Sequence, residues 1–403
     1  MGGGEPVRVL ALQSGTSADG IDAALVVIEP SDDGLDLEIE RWGTEPWRPD
    51  ERSLVLRAVH GGRLDPAEWC ALQTAVGRAF ARAAVRFASD ADPVDVVCSH
   101  GQTVFHGVQG GAVWGTLQVG EPAWIARATG CPVVFNLRVA DVAAGGLGAP
   151  LITAFDERWL AASAEETGVA VASLNLGGIA NVQVVQADGS ASGFDTGPAN
   201  ALLDAWISRA TDGAETFDRD GAHARAGRVD DALLARLRAH PYFALTAPKT
   251  TGRETFTIGT VDEALDGREL PLADVCATLL ELTATTVADA LAGTAPDIGR
   301  VVVSGGGARN PVLMARLGEH LGVPVEPSDA WGIPADAREA VMFALLAYLS
   351  AARVPLELPG TPAGRAAVAG QWDLSAAPLP VPPTVPAAPP PRRLRAHTRE
   401  ERS

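Results

Sequence analysis

Apolar residues fall in strand-length runs that recur in the same order in each half of the chain. Val7 to Leu12 stops at SGTSADGID (Ser14 to Asp22), and a second β-branched run, Ile21 to Ile28, follows at once, with a third over residues 35–42. Strand, glycine turn and strand make a hairpin, and the three runs together predict a meander. Helical spacing follows at Pro49 to Val59 and at Pro66 to Ser89. Next come a short buried strand at Val94 to Cys98 ending in SHGQT, a β-like TLQVG, a helix from Pro122 to Thr129 and a strand from Cys131 to Leu137. From Val169 the order restarts: a strand to Leu174, the turn NLGGIAN (Asn175 to Asn181), and a strand at Val182 to Val185. Helices are expected at Ala199 to Ala210, Asp230 to Ala239 and Leu270 to Ala292, then a strand at Arg300 to Ser304, GGGARN, and a helix at Pro311 to Leu321.

The repetition predicts an α/β protein of two RNase H-like domains facing a central cleft, and 403 residues are ample for both. The first domain is expected at 1–141 with 360–374 returning to it, and the second at 142–359. Residues 375–403 are mostly Ala, Pro and Arg, a composition that predicts an extended, disordered tail. Its basic tip is either solvated or a contact for an acidic partner.

Charge narrows the function. Fifty acidic against 32 basic residues give a net charge of −18, a field that repels nucleic acid and anionic membranes. No run reaches the length of a membrane span and the N-terminus lacks a signal-peptide core, which predicts a cytoplasmic protein. Cys70, Cys98, Cys131 and Cys276 lie far apart, the spacing of structural thiols rather than of a zinc or redox pair. Lys249 is the single lysine among many arginines, so either chance or a need for a compact ammonium keeps it there.

With so acidic a chain, phosphate must be held by local backbone N–H groups and a cation. SGTSADGID offers glycines for close approach, the hydroxyls of Ser14, Thr16 and Ser17, and the carboxylates Asp19 and Asp22, one of which can hold Mg²⁺ through water. A tight hairpin favours the same residues, so the motif alone is ambiguous. NLGGIAN and SGGGARN later in the chain strengthen the phosphate reading. Walker and Rossmann loops lead into helices, whereas paired glycine hairpins are the clamps of actin-like ATPases and sugar kinases. Asp195, in GFDTGPAN, stands where a strand ends and a helix begins, the place of either a helix cap or a general base. His100 and Gln102, in SHGQTVFH, are candidates for hydrogen bonding to substrate or phosphate, or for structural roles, and no third ligand supports zinc.

Ten motifs in order, SGTSADGID, SHGQTVFH, TLQVGEPAWIA, DVAAGGLGAPL, NLGGIANV, GFDTGPANALLDAWI, DRDGAHARAG, PYFALTAPKTTGRETF, VVVSGGGARNPVLMARL and EAVMFALLAY, resemble those of the anhydro-N-acetylmuramic acid kinases, members of the actin-like sugar kinase superfamily. The resemblance runs from Val7 to Gly370. It implies ATP-dependent phosphorylation of 1,6-anhydro-N-acetylmuramic acid with opening of the anhydro ring by water, ATP and Mg²⁺ as cofactors, and a homodimer. Residue by residue, it implies that Asp195 is the base. It assigns Ser14, Gly15, Thr16, Ser17, Ala18, Asp19, Gly20, Ile21 and Asp22 to the first phosphate loop. Asn175, Gly177, Gly178 and Asn181 fall in the second, and Gly305, Gly306 and Gly307 beside adenosine. His100, Gln102, Thr103, Glu339 and Lys249 fall to the sugar, with the role of Lys249 unassigned.

Departures from the family pattern are Gln13 for Met, Asn136 for Asp, Leu147 for Gln, Asp156 for His and Ala199 for Gly. If Asn136, Leu147 and Asp156 line the sugar pocket, the substrate differs; if they lie behind it, only packing does. Two alternatives to the leading reading are a kinase of another amino or anhydro sugar and a non-catalytic nucleotide-binding regulator.

Overall fold

A computed structural model of the chain describes residues 5–399 except 16, 90–91, 111, 248, 253–254, 296, 359 and 377–390. The described chain divides into two compact units, residues 1–159 with 337–403 and residues 160–336. The first boundary therefore lies later than the expected 141 and the return earlier than the expected 360.

Unit 1 opens with β1 (Val7–Ser14), β2 (Ile21–Pro30) and β3 (Leu35–Glu45), followed by helices α1 (Pro49–Val59) and α2 (Pro66–Ala88). Then come β4 (Val96–Gln109), β5 (Ala112–Val119), α3 (Ala123–Thr129), β6 (Val133–Phe135) and α4 (Val139–Ala144), and α5 (Thr153–Thr167) carries the chain across the boundary. Unit 2 contains β7 (Val171–Leu176), β8 (Ile179–Val185), β9 (Ala191–Pro198), α6 (Asn200–Ala210), α7 (Ala222–Ala226), α8 (Asp231–Arg238), α9 (Ile258–Leu265), α10 (Leu272–Thr294), β10 (Arg300–Ser304), α11 (Pro311–Leu321) and β11 (Val325–Pro327). The return to unit 1 consists of α12 (Arg338–Ala351), β12 (Gln371–Asp373) and β13 (Leu394–Thr398).

Both sheets are built the same way. In unit 1 β3, β2 and β1 run antiparallel in turn, and β1 is followed by parallel β4 and β6. In unit 2 β9, β8 and β7 run antiparallel, followed by parallel β10 and β11. This is the RNase H-like order, present twice. The central strands are apolar on both faces, as strands covered by helices on each side must be. Leu10, Leu12, Ala23 and Leu25 join α2 in one core, and α12, buried from Ala340 to Ser350, packs on β1, β2 and β4. In unit 2 the core gathers around α10. That helix is long and apolar enough to cross a membrane, but most of it is buried inside the unit.

The sequence motif SHGQTV lies within β4 rather than after it, because β4 continues into a hairpin with β5. Of the four thiols, Cys98, Cys131 and Cys276 are buried, and Cys70 is exposed on α2. The larger correction concerns the tail. Residues 394–398, expected to be disordered, form β13 parallel to β3 at the sheet edge. The reason is a period-two pattern hidden in a basic composition. Leu394 is buried, while Arg393 and Arg395 reach Asp33 and Arg399 reaches Glu38 and Glu40, acids on or beside the outer side of β3. Arg158 holds the approach by donating to the Pro391 carbonyl at 3.0 Å. Truncation after Ala376 is expected to cost about 2 kcal/mol, chiefly the burial of Leu394, and to bare an edge strand that promotes association. Calorimetry and light scattering check this, and an unchanged unfolding midpoint would contradict it.

Candidate active site

Each unit carries its own cluster of the residues singled out above. In unit 1 the turn between β1 and β2 is braced from β4. Ser14 pairs in register with Gln102, whose amide donates to the Gly15 carbonyl at 3.0 Å, and Ala18 N–H closes a tight turn on the same oxygen at 3.0 Å. The side chains of Ala18 and Ile21 are buried in the core, and a side chain at Gly20 would strike Thr44, so these positions offer only backbone. Ser17 is half-buried, and Asp19 is exposed with Arg52 at 3.6 Å. Thr16 lies outside the described residues.

Asp22 is held at both oxygens, by Gln13 Nε2 at 2.7 Å and Thr44 Oγ1 at 2.7 Å, and burial nevertheless raises its pKa. Gln13, one of the departures, thus has a defined partner. Two polar atoms at this turn, Ser14 Oγ and Gln102 Oε1, are buried without a partner among the described residues. Buried polar atoms are rarely left so, and here they stand beside Gly15, whose Cβ position meets only Ser17 Oγ, at 3.8 Å. The turn therefore fits a ligand that both donates and accepts hydrogen bonds.

His100, further back on β4, stacks on Phe343 of α12 with ring centroids 4.3 Å apart. Burial, helped by the Arg138 charge, pushes its pKa well below the usual histidine range, so the ring is neutral. Its Nδ1 has no partner among the described residues, and Nε2 stands 3.5 Å from Thr103 Oγ1. Glu339 lies on the first turn of α12, reachable by solvent. Solvent reaches it only in part: the protein packed around the carboxylate first, and the Asp22 charge second, raise its pKa against the pull of Arg338 and Arg138. Arg138, which sequence reading passed over, donates to the Gly148 carbonyl at 2.8 Å, and burial lowers its pKa to about 10.

The departures Asn136, Leu147 and Asp156 are accommodated within unit 1. Asn136 bonds Gln371 at 3.2 Å, Leu147 packs against Gly360, and Asp156 forms a fully buried ion pair with Arg338, next to Glu339 in sequence.

In unit 2 the register of the sheet places four polar residues side by side. Ser304 on β10 pairs with Asn175 on β7, Asn175 with Asn181 on β8, and Asn181 with Asp195 on β9. Directly opposed residues share a face, so Asn175, Asn181 and Asp195 form a row, and all three are half-buried. Asp195 belongs to the strand, which removes the helix-cap alternative. Thr196 is the extra residue of a β-bulge beside it, a device that re-aims a neighbouring side chain.

The turn between β7 and β8 directs its carbonyls to α6, where Gly177 and Gly178 accept from the N–H groups of Ala199, Asn200 and Ala201 at 3.0–3.1 Å. Since N–H and C=O of one peptide point oppositely, the Gly178 N–H faces away from the helix, free for an anion. Gly305, at φ +79°, lies so close to the end of β7 that a Cβ would meet Asn175 Oδ1 at 2.5 Å; Gly307 is as tight against Leu176, and Gly306 is the open one.

The Asp195 carboxylate accepts twice on Oδ2, from Thr250 Oγ1 at 2.8 Å and Thr251 N–H at 2.9 Å. Burial raises its pKa and outweighs both bonds. Among the described residues Oδ1 has no partner, so it is the oxygen available to take a proton. Lys249 is not brought to this carboxylate. Its side chain lines a cavity of about 630 Å³ together with Phe194 and Thr196, whose side chains alternate with that of Asp195 along β9, and its ammonium lies 4.7 Å from the centre of the Tyr242 ring. Thr250, Thr251 and Tyr242 were missed by sequence reading. Their signal is the PYFALTAPKTTG motif itself, in which the single lysine is the most conspicuous residue.

Two RNase H-like units, each with a glycine hairpin turn at the end of its first strand, define the actin-like class. The chain belongs to the anhydro-N-acetylmuramic acid kinase family, whose model matches residues 7–372. A Streptomyces coelicolor protein of that name is 46% identical over 396 residues, covering 96% of this chain and 99% of the relative. A Rhodococcus erythropolis relative of that name is 45% identical over 402 residues, with 97% and 100% covered, and one from Xanthomonas campestris pv. campestris is 45% identical over 364 residues, with 87% and 92% covered.

Removing one partner of a buried pair strands the other charge. Asp156→Ala is therefore expected to cost about 3–5 kcal/mol of stability, measured by denaturant unfolding, and a loss below 1 kcal/mol would refute the pairing.

Proposed function

We propose that the chain phosphorylates 1,6-anhydro-N-acetylmuramic acid at the expense of ATP and opens its anhydro ring, giving N-acetylmuramic acid 6-phosphate and ADP in the recycling of cell-wall sugar. The observation that carries this reading is the half-buried Asp195, with raised pKa and one oxygen uncommitted, in line with the two asparagines that flank the second glycine turn.

In the substrate O6 is tied to C1, so no hydroxyl is free to accept phosphate. Asp195 Oδ1 takes a proton from water, whose oxygen forms the new bond to C1 as the C1–O6 bond breaks. ATP, with Mg²⁺ neutralising its phosphates, supplies the phosphoryl group that O6 takes. A base must be ionised to act, so the raised pKa of Asp195 places the acid limb of the rate profile above the ordinary aspartate range.

The residues present fit the nucleotide. The Ser14–Asp22 turn, with Ser14 Oγ unpartnered, and the Asn175–Asn181 turn, with the Gly178 N–H turned outward, would hold the phosphates, and Gly305–Gly307 the adenosine side. Asp22, both of whose oxygens already accept hydrogen bonds, would hold Mg²⁺ through water. His100, Gln102, Thr103 and Glu339 would contact the sugar, which the unpartnered His100 Nδ1 supports. A different sugar is not favoured, since Asn136, Leu147 and Asp156 are engaged with Gln371, Gly360 and Arg338. A non-catalytic regulator would gain nothing from a desolvated carboxylate beside the second turn. The protein is further proposed to act in the cytoplasm as a homodimer.

ADP is expected to form only when the anhydro-sugar is present, with a phosphomonoester appearing by ³¹P spectroscopy. Asp195→Asn is expected to abolish turnover while ATP still binds. Folding raises the Asp195 pKa, so its ionisation at neutral pH opposes folding, and the opposition disappears below the unfolded-chain pKa. The unfolding midpoint of Asp195→Asn at pH 7 is therefore expected to match or exceed that of the parent. Residual turnover near the parent rate, or loss of ATP binding, would contradict the assigned role.

A further inference from the structure

β9 is the outer strand of the unit 2 sheet, so every second residue along it turns its N–H and C=O away from β8. Asp195 is such a residue, and both of its outward groups are taken by one segment. Its N–H donates to the Lys249 carbonyl at 2.9 Å, and its carbonyl accepts from the Tyr242 hydroxyl at 2.7 Å. The pair Asn181 and Asp195 is then of the narrow, non-hydrogen-bonded kind, in which opposed side chains come closest.

We propose that Tyr242, held by Lys249, is the positioning residue of the reaction: it fixes the Asp195 peptide so that the carboxylate keeps both threonine donors on Oδ2 and presents Oδ1 to water. This rests on the reading of Asp195 as the base.

Tyr242 is built for a fixed position. It is 5% exposed, and Phe243 and Phe256 meet it edge-on with centroids at 5.9 Å and 5.5 Å. The Lys249 ammonium lies over its ring and donates to the Tyr242 carbonyl at 3.4 Å, so the two residues that bond the Asp195 main chain also bond each other. A cation on the face of a buried aromatic ring is worth more than one in water. Burial and the Asp195 charge raise the Tyr242 pKa, so the hydroxyl remains a donor across the working range. Gly197, two residues beyond Asp195, passes Phe243 so closely that a Cβ would lie 2.7 Å from its ring, which locks the bulge against the same aromatic group. Thr250 and Thr251 follow Lys249 directly, so a shift of the Lys249 peptide carries the carboxylate's donors with it.

The sole lysine of the chain then has a task. A guanidinium is broader than an ammonium and does not end in three compact donors. The Lys249 ammonium fits between ring face and carbonyl, on the side of β9 away from the Asp195 carboxylate, and its contribution reaches the reaction through Tyr242.

The test is the pH profile of Tyr242→Phe. The threonine bonds lower the Asp195 pKa against the effect of burial, so loosening them raises it. The acid limb of kcat/KM is expected to move to higher pH, with kcat falling by roughly 10- to 100-fold while KM for the anhydro-sugar and the Kd of ATP stay within about threefold. Lys249→Met, which keeps the hydroxyl and removes the ammonium, is expected to shift the limb in the same direction by less, and it decides the matter if Tyr242→Phe does not fold. A parental limb and kcat in whichever variant folds overturns the proposal. Asp195→Asn separates the two failures. If it retains turnover, the base assignment is wrong; if it is inactive while Tyr242→Phe behaves as the parent, only the positioning role falls.

Discussion

An aspartate on the outer strand of a sheet has main-chain groups that no neighbouring strand satisfies, and the geometry around Asp195 in unit 2 depends on how that deficit is met. Instead of a sixth strand, the segment from Tyr242 to Thr251 supplies a hydroxyl, a carbonyl, an amide and a second hydroxyl to the one residue Asp195. Satisfying the backbone and orienting the carboxylate are therefore one event. A strand there would have bonded the main chain and left the carboxylate to solvent. The segment does both, and it leaves the residue only half-buried, so that desolvation raises the pKa while one oxygen stays uncommitted.

The duplicated sheet supplies the frame. In each unit the first strand ends in a glycine-containing turn, and in each the turn is braced by the rest of its own sheet. In unit 1 the brace is a side-chain amide, Gln102, from the parallel strand β4. In unit 2 it is the start of α6, which takes the turn's carbonyls and thereby directs an N–H outward. Two chemistries reach the same end, a turn rigid enough to present unpaired donors and acceptors. The shared strand order explains why the polar residues gather there: in a sheet covered by helices on both faces, the strand ends are where side chains escape the covering helices.

Much of this was legible in the sequence. The two hairpins follow from β-branched runs broken by Gly and small polar residues, and the alternation of strands and helices gave the repeated α/β order. What escaped notice shares a physical cause, namely dependence on pairing between distant segments. β13 was hidden because its alternation of Leu394 and Ala396 with Arg395 and His397 reads as a charged tail until it is set against Asp36, Glu38 and Glu40 of β3. Lys249 stood out by composition, yet its neighbours Thr250 and Thr251 reach the carboxylate, because residues alternate sides along an extended segment. Arg138 was passed over, since nothing local announces that it is half-buried and bonded to Gly148. The division between the compact units gives no signal for a similar reason: α5 runs through it, and a continuous helix has no compositional break.

In the proposed reaction a single carboxylate directs water at the anomeric carbon as O6 leaves, in one displacement. Such a displacement inverts C1. The anhydro bridge occupies the β face, so the first product must carry its new hydroxyl on the α face. Rapid ¹H NMR of the anomeric proton, recorded before mutarotation, measures this directly. The α-anomer is expected at the earliest times, decaying to the equilibrium mixture. The β-anomer as the first product would require a covalent intermediate and would contradict the single displacement.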